Sequence, residues 1–409
     1  MTDSVLHLSG VNKFFGRAAA PILHAVRDAS MDIQSGEIIA LLGSSGCGKT
    51  TTLRMIAGFE NVSSGTIARS GQMIHMLPPG KRGVAMAFEG YSLYPPLTVR
   101  ENIGFALKSS RLSASEQAQK IDEIAHLLEI TDIMGRYPSS LSAGQQQRVS
   151  LGRALIRRAP ITLLDEPMGQ LEPQLRALLR GRLKNYLRQH GMTTVLVTHD
   201  QTEANALADR IAVMEGGVIQ QFAAPATLKH HPANIFVAGF IGEPPMNLFS
   251  AQFAEGDHGL EIILGDSDSK IAFAADGLSD AAIKQLMALG SAKIGIRPHD
   301  VVLEDAVHSG NAPKSDGKNL VGKITANQWL GDQTHLALNL EGLPVVAVVH
   351  RPFEHEIGRS IALHFAADRL HIFDNNSQRA ILHQGVLAQC PLITQQSRRQ
   401  ILENPTAIL

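Results

Sequence analysis

The chain has 409 residues, 44% of them hydrophobic, with 37 basic against 38 acidic side chains and a formal charge of −1. That length suits two or three domains with real cores, and the charge balance gives neither a global basicity for nucleic acid nor a like-charge run for a disordered tail. Two cysteines, Cys47 and Cys390, are too few for a disulfide framework and fit a reducing compartment. Residues 1–8 lack a basic segment followed by an apolar core, so no secretory signal is expected. No apolar run approaches the roughly 20 residues that a membrane-spanning helix needs.

In chain order, residues 4–42 read as short strands and turns, with alternation in Val5-Leu6-His7-Leu8 and again in Ser30-Met31-Asp32-Ile33. Phe14 and Phe15 lie here; the rings either pack in a strand core or, for Phe15, offer a π-face to a planar ligand. Ile38-Ile39-Ala40-Leu41-Leu42 has the continuous apolar character of a buried parallel strand. It leads into Gly43-Ser44-Ser45-Gly46-Cys47-Gly48-Lys49-Thr50-Thr51, and residues 52–58 then read as the opening turns of a helix. The glycines let successive backbone N–H groups curl into one concavity that the helix dipole makes positive, a cradle for phosphates. Lys49 supplies a mobile point charge for the β- and γ-phosphates, and the Thr50 hydroxyl an oxygen ligand for Mg²⁺. Cys47 offers its backbone to the loop, with the thiol directed away from a nucleotide.

Further on, Gly80-Lys81-Arg82-Gly83 is a turn and Val84-Ala85-Met86-Ala87-Phe88 a short strand. The run from Glu89 through Tyr91, Leu93, Tyr94, Pro95, Pro96 and Leu97 to Val99 is held extended by its prolines. Its tyrosines and leucines on an irregular loop mark a partner surface. Residues 100–137 read as helices, with Ile121, Ile124, Leu127, Leu128 and Ile130 at helical spacing. Leu141-Ser142-Ala143-Gly144-Gln145-Gln146-Gln147-Arg148 opens another helix, where a Ser hydroxyl, backbone N–H groups and the dipole converge on an anion. Ile161-Thr162-Leu163-Leu164-Asp165-Glu166 is an apolar strand ending in a metal-directed Asp and a neighbouring general base.

Helix 173–190 carries Leu175, Leu179, Leu183 and Leu187 on one face and a solvated basic row on another, and Gly191 stops it. Residues 194–198 form the next buried strand, with His199-Asp200 at its end, and residues 211–220 a hairpin. Strand–loop–helix units over 37–225 predict an α/β domain with a mostly parallel sheet. Past residue 240, short β-patterned runs separated by Gly and Asp predict a small antiparallel barrel with its longest polar loop at 306–319. The expected boundaries are 1–239, with a helical subdomain at about 92–158, then 240–375, then an extension 376–409. His230-His231 precedes a proline and reads as a turn rather than a ligand pair.

The phosphate loop, Glu89, the Leu-Ser-x-Gly-Gln run at 141–145, Asp165-Glu166 and His199 stand in one order. That constellation resembles the nucleotide-binding subunit of ATP-binding-cassette transporters over residues 4–240. Residues 231–238, the run Gly242-Glu243-Pro244-Pro245-Met246-Asn247 and Gly295-Ile296-Arg297-Pro298 extend the likeness to the maltose/glycerol-phosphate type of importer ATPase, with its oligonucleotide-binding-like (TOBE-type) regulatory barrel. The resemblance implies that ATP and Mg²⁺ bind, with phosphates held by Gly43, Ser44, Ser45, Gly46, Cys47, Gly48, Lys49, Thr50 and Thr51, and that Phe15 stacks on adenine. It implies Mg²⁺ held by Thr50, Glu89 and Asp165, an attacking water polarised by Glu166, and a γ-phosphate contact from His199. Ser142, Gly144 and Gln145 would act in trans on the ATP of a second subunit, a homodimer or a heterodimer with a related ATPase. Further implied are two transmembrane permease subunits, an extracytoplasmic solute-binding protein, a peripheral place on the cytoplasmic face of the inner membrane, and no nucleic acid.

Three positions depart from the family pattern. Glu89 stands where a Gln is usual, Ala143 replaces a Gly, and Glu172 ends a stretch that usually ends in Asp. Glu89 adds negative charge beside the γ-phosphate, and Glu172 lengthens by one methylene a side chain expected to act across the dimer. The resemblance implies a sugar, polyol, glycerol or glycerol phosphate as the solute, with a polyamine or inorganic anion as the alternative. Slowed hydrolysis and pairing with a sister subunit compete with harmless drift. A soluble cassette ATPase acting on DNA or ribosomes would need coiled-coil insertions, zinc modules or a second cassette, and the sequence shows none.

Overall fold

The computed structural model describes residues 4–16, 23–88, 90, 92–108, 110–256, 259–265, 271–274, 278–303, 320–384 and 386–387. Glu89, Tyr91, Cys390, the polar loop 306–319 and residues 388–409 of the extension lie outside them. The chain divides into two compact units, Met1–Thr227 and Leu228–Leu409. The boundary expected at 239/240 therefore falls inside the second unit, within the helix Ile235–Phe240.

In the first unit, two long antiparallel strands, β1 (Ser4–Phe15) and β2 (Leu23–Gln34), stand where short strands were expected. Register shifts along their ladder mark irregularities that interrupt the alternation of the sequence without ending the strands. Then follow β3 (Ile38–Gly43), α1 (Lys49–Ala57), β4 (Ser64–Arg69), β5 (Gln72–Met73) and β6 (Val84–Ala87). Three helices come next, α2 (Val99–Phe105), α3 (Ala114–Leu127) and α4 (Ala143–Ile156). Each opens on a reciprocal capping box, Thr98 with Glu101, Ser113 with Glu116 and Ser142 with Gln145. The unit continues with β7 (Ile161–Asp165), α5 (Pro173–Gln189), β8 (Thr193–Thr198), α6 (Gln201–Leu207), β9 (Arg210–Glu215) and β10 (Val218–Ala223).

Two sheets result, one antiparallel in the order β2-β1-β4-β5 and one in the order β10-β9-β3-β8-β7-β6. In the second, β9, β3, β8, β7 and β6 are parallel, and β10 returns antiparallel to β9. Every residue of β3, β7 and β8 is buried, which is why those runs are apolar without alternation. One core joins Leu8 and Val26 of the first sheet, Leu53 and Ile56 of α1, and Ile39, Leu163 and Val195 of the second. The order β3-β8-β7 sets three carboxyl ends side by side, where open α/β sheets bind ligands.

The chain passes through α7 (Pro225–His230) and α8 (Ile235–Phe240) into a β-rich part that is antiparallel throughout its described ladders. One sheet has seven strands, β13-β12-β11-β14-β20-β21-β22, and the other five, β15-β19-β16-β17-β18. In chain order these are β11 (Asn247–Gly256), β12 (Gly259–Leu264), β13 (Ile271–Ala274), β14 (Ser291–Ile296), β15 (Val301–Leu303), β16 (Leu320–Trp329), β17 (Thr334–Leu340), β18 (Leu343–Val349), β19 (Ser360–Phe365), β20 (His371–Phe373), β21 (Ala380–His383) and β22 (Val386–Leu387). Ile262, Ile294, Leu336, Val345 and Leu363 meet in one core between the two sheets. A helix unanticipated in the sequence, α9 (Asp280–Leu289), caps on Ser279 and buries only Ala282 and Leu286.

At the β20–β21 ladder His371 and His383 are buried opposite each other, Nδ1 to Nδ1 at 2.9 Å. Nearby Arg297, also buried, donates to the carbonyls of Ala238, Ile241 and Lys229.

Candidate active site

The loop after β3 begins the site. Helix α1 starts at Lys49, earlier than the sequence reading had it, with Gly48 at its N-cap at φ 101°. A Cβ on Gly48 would stand 2.5 Å from the Ala25 carbonyl oxygen, so both the backbone twist and the space demand glycine. Ser44, Ser45 and Gly46 are exposed, whereas Lys49 is 6% exposed. Its Nζ donates to the carbonyls of Gly43 at 2.7 Å and Ser44 at 2.8 Å, which hold the ammonium inside the loop. The Cys47 thiol is buried in the core beneath, so this position presents backbone rather than sulfur.

Strand β7 delivers Asp165 to the same edge, 2% exposed, where its Oδ1 accepts the Thr50 hydroxyl at 3.2 Å. Glu166 follows with φ 45°, in the left-handed region. Three bonds hold its backbone there. Its N–H donates to Val197 at 3.0 Å, and its carbonyl accepts Gln147 Nε2 at 2.7 Å and the Gly169 N–H at 3.3 Å. At the end of β8, His199 is 63% exposed and places Nδ1 3.3 Å from Glu166 Oε1.

Behind His199 lies a buried polar network. The Thr198 hydroxyl donates to Glu203 Oε2 at 2.5 Å and accepts the Asp200 N–H at 3.0 Å, while Asp200 Oδ1 accepts the Glu203 N–H at 2.9 Å. Burial pushes the Glu203 carboxyl up to about 7, with Asp200 adding to the rise. Arg176 on α5 reaches Asp200 Oδ2 at 3.4 Å and the Leu171 carbonyl at 3.0 Å.

The structure thus brings together the phosphate loop, Thr50, Asp165, Glu166 and His199. Ser142, Gly144 and Gln145 instead occupy the start of α4, with Ser142 exposed. The Ser142 hydroxyl accepts the Gln145 N–H at 3.3 Å, and Gln145 Oε1 accepts the Ser142 N–H at 3.0 Å. A Cβ on Gly144 would meet the Gln170 carbonyl oxygen at 2.9 Å, so the absent side chain lets that backbone come close. Phe15 is 36% exposed, with Lys13 Nζ 4.6 Å from its ring centroid, and Phe14 is stacked on His24. Neither ring is a core residue. Gln147 and Glu203 were not picked out from the sequence, and Arg176 was read only as part of the solvated basic row of helix 173–190, whereas its guanidinium bonds Asp200 and the Leu171 carbonyl. The signal for Gln147 was faint, a third glutamine in a row whose amide turns out to bridge Glu166 and the Gln170 N–H.

A cavity of about 320 Å³ lies in the first unit, lined by Met86, Phe88, Tyr94, Phe105, Arg153 and Arg157 among others. Arg153 stands over the Tyr94 ring at 4.7 Å and donates to the Ser92 carbonyl at 2.6 Å. The cavity adjoins the described part of the 91–99 loop, read above as a partner surface.

A phosphate loop on a parallel strand, acidic residues on the second strand along, His199 on the strand between them and a capped Ser-x-Gly-Gln helix define an ATP-binding-cassette ATPase. Residues 26–169 match the family model described as ABC transporter, and residues 294–373 match the TOBE domain. The chain is 37% identical over 376 residues to the sn-glycerol-3-phosphate import ATP-binding protein UgpC 1 of Rhizobium johnstonii, covering 92% of this chain and 96% of that protein. It is 39% identical over 386 residues to the trehalose/maltose import ATP-binding protein MalK of Thermococcus litoralis, covering 92% and 99%. It is 40% identical over 373 residues to the trehalose import ATP-binding protein SugC of Mycobacterium tuberculosis, covering 86% and 93%. Among solved structures, the dimeric ATP-binding cassette MJ0796 bound to ADP and Pi is similar with a TM-score of 0.50 at 27% identity, covering 54% of this chain and 98% of that one. The chain belongs to the ABC transporter family, among its import ATP-binding proteins, and is an ATPase.

Proposed function

We propose that this ATPase energises import of a sugar, polyol, glycerol or glycerol-phosphate-like solute, peripheral to the cytoplasmic face of the membrane and docked on two permease subunits. The relatives named for glycerol 3-phosphate, trehalose and maltose import carry the choice of solute class. The joint placement of the loop, Asp165, Glu166 and His199 carries the chemistry.

The N–H groups of residues 43–51 cradle the phosphates, and Lys49 exchanges its carbonyl partners for phosphate oxygens. Thr50 and Asp165, already in contact, offer a hydroxyl and a carboxylate, an all-oxygen donor set that fits Mg²⁺. Bound there, Mg²⁺ would supply charge neutralisation to the phosphates. Glu166 orients the attacking water, His199 contacts the γ-phosphate and Phe15 stacks on the adenine. Ser142, Gly144 and Gln145 of a second subunit complete the site, so hydrolysis depends on dimer closure. The cavity beside Tyr94 receives a permease segment and passes closure to it. Glu89 and Glu172 favour a second reading within this one, pairing with a related ATPase that supplies the faster site.

The test is turnover and binding by the purified chain, together with affinity capture from detergent-solubilised membranes. Lys49→Ala should lower ATP affinity at least tenfold, and Glu166→Gln should keep ATP bound while reducing turnover at least a hundredfold. Permeases and a solute-binding protein should co-purify, and the ligand of that protein identifies the solute. Robust turnover of the chain alone, unchanged by Glu89→Gln, would remove the sister-subunit reading.

A further inference from the structure

We propose that Arg176 is a positioning residue for hydrolysis, tying segment 169–171 to the turn that carries His199. The proposal rests on the ATPase reading of the site. The guanidinium sits near the start of α5, between two loops. One nitrogen, Nη2, donates to the Leu171 carbonyl at 3.0 Å and reaches the Gly169 carbonyl at 3.5 Å. The other, Nη1, reaches Asp200 Oδ2 at 3.4 Å. A planar fork spans these acceptors, which an ammonium on a flexible stem cannot do at once.

From Asp200 the tie continues to both flanks of His199. The Asp200 N–H donates to the Thr198 hydroxyl, and that hydroxyl donates to Glu203. The imidazole between them is free to face Glu166, 3.3 Å away, while its backbone is pinned on either side. On the opposite flank Gln147 bridges the Glu166 carbonyl and the Gln170 N–H. Segment 169–171 therefore reaches Glu166 through Gln147 and His199 through Arg176. Glu172, exposed at the N-cap of α5, directly continues that segment.

The experiment compares the full chain with Arg176→Ala, Arg176→Lys, Asp200→Asn and the Arg176→Ala/Asp200→Asn double variant. Asn keeps the N-cap of α6 while losing the charge. Arg176→Ala should lower kcat about tenfold with ATP affinity within about twofold of the parent, since the phosphate loop is untouched. Lys should restore only part of that loss, and the double variant should be no slower than its slower parent. Hydrogen exchange at amides 169–172 and 199–200 should rise in Arg176→Ala, while protection in α1 stays as it was. An unchanged kcat, additive losses, or a matching loss of ATP affinity would overturn the proposal. A parent chain that neither binds nor turns over ATP would sink the ATPase reading instead; where it binds without turnover the exchange measurement decides the tie, and unaltered exchange at 169–172 and 199–200 rejects it.

Discussion

At the residue scale, Glu203 shows how a carboxyl can be kept close to neutral inside a protein. Its burial raises the pKa to about 7, with Asp200 adding to the rise and Thr198, Arg176 and Arg180 opposing it. The folded value lies above that of the unfolded chain, so the folded state holds a proton that the unfolded state has released between roughly pH 4.5 and 7. That contribution to stability is complete below the unfolded value and is lost as pH rises through 7. Glu203→Gln keeps an acceptor for Thr198 and removes the buried charge. Its thermal midpoint should exceed that of the parent by several degrees at pH 8 and match it at pH 5, read by thermal unfolding across pH. The loop from Gly43 to Thr51, Asp165 and Glu166 were legible in the sequence because neighbours in the chain set their spacing. Arg176, Gln147 and Glu203 were not, because their partners are brought to them by the fold.

At the scale of elements, α1 is held at both ends by what the ATPase fold supplies. Its start faces the phosphate loop, and its last carbonyls, Met55 and Ile56, accept from the buried Arg82, which also donates to His75 and Leu77. A cation at a helix C-terminus complements the dipole, and the hydrogen-bonded carbonyls offset the cost of its burial, which pushes the guanidinium pKa down. Arg82→Met would leave those carbonyls without donors and should destabilise the first unit by roughly 3 kcal/mol, a fall of about 10 °C in Tm by calorimetry. Capping and apolar runs made α4, β3, β7 and β8 readable in advance. Strands β1 and β2 were read too short because their ladder shifts register, which breaks the alternation a strand reading relies on. Helix α9 was missed because so narrow a stripe of it is buried.

At the scale of the whole molecule, the second unit carries a buried histidine pair that acid disfavours. Burial, with neighbouring positive charge, lowers His371 to about 3 and His383 to about 4. Unfolded histidine titrates near 6.5, so the unfolded chain takes up protons that the folded pair refuses. Stability from the neutral pair is complete above that value and is lost as pH falls through 6.5 towards 4, by up to about 1.4 kcal/mol per pH unit for each ring. The second unit should lose Tm more steeply between pH 7 and 5 than its His371→Gln/His383→Gln variant, as differential scanning calorimetry would show.

Glu166 sits in the left-handed region of the backbone. Its left-handed backbone, of a kind that costs a non-glycine residue roughly 1–2 kcal/mol, is held by Val197, Gly169 and Gln147. The strain is therefore offset by a strand, a turn and a helix together, so that loosening any one of the three would loosen the carboxylate that faces His199.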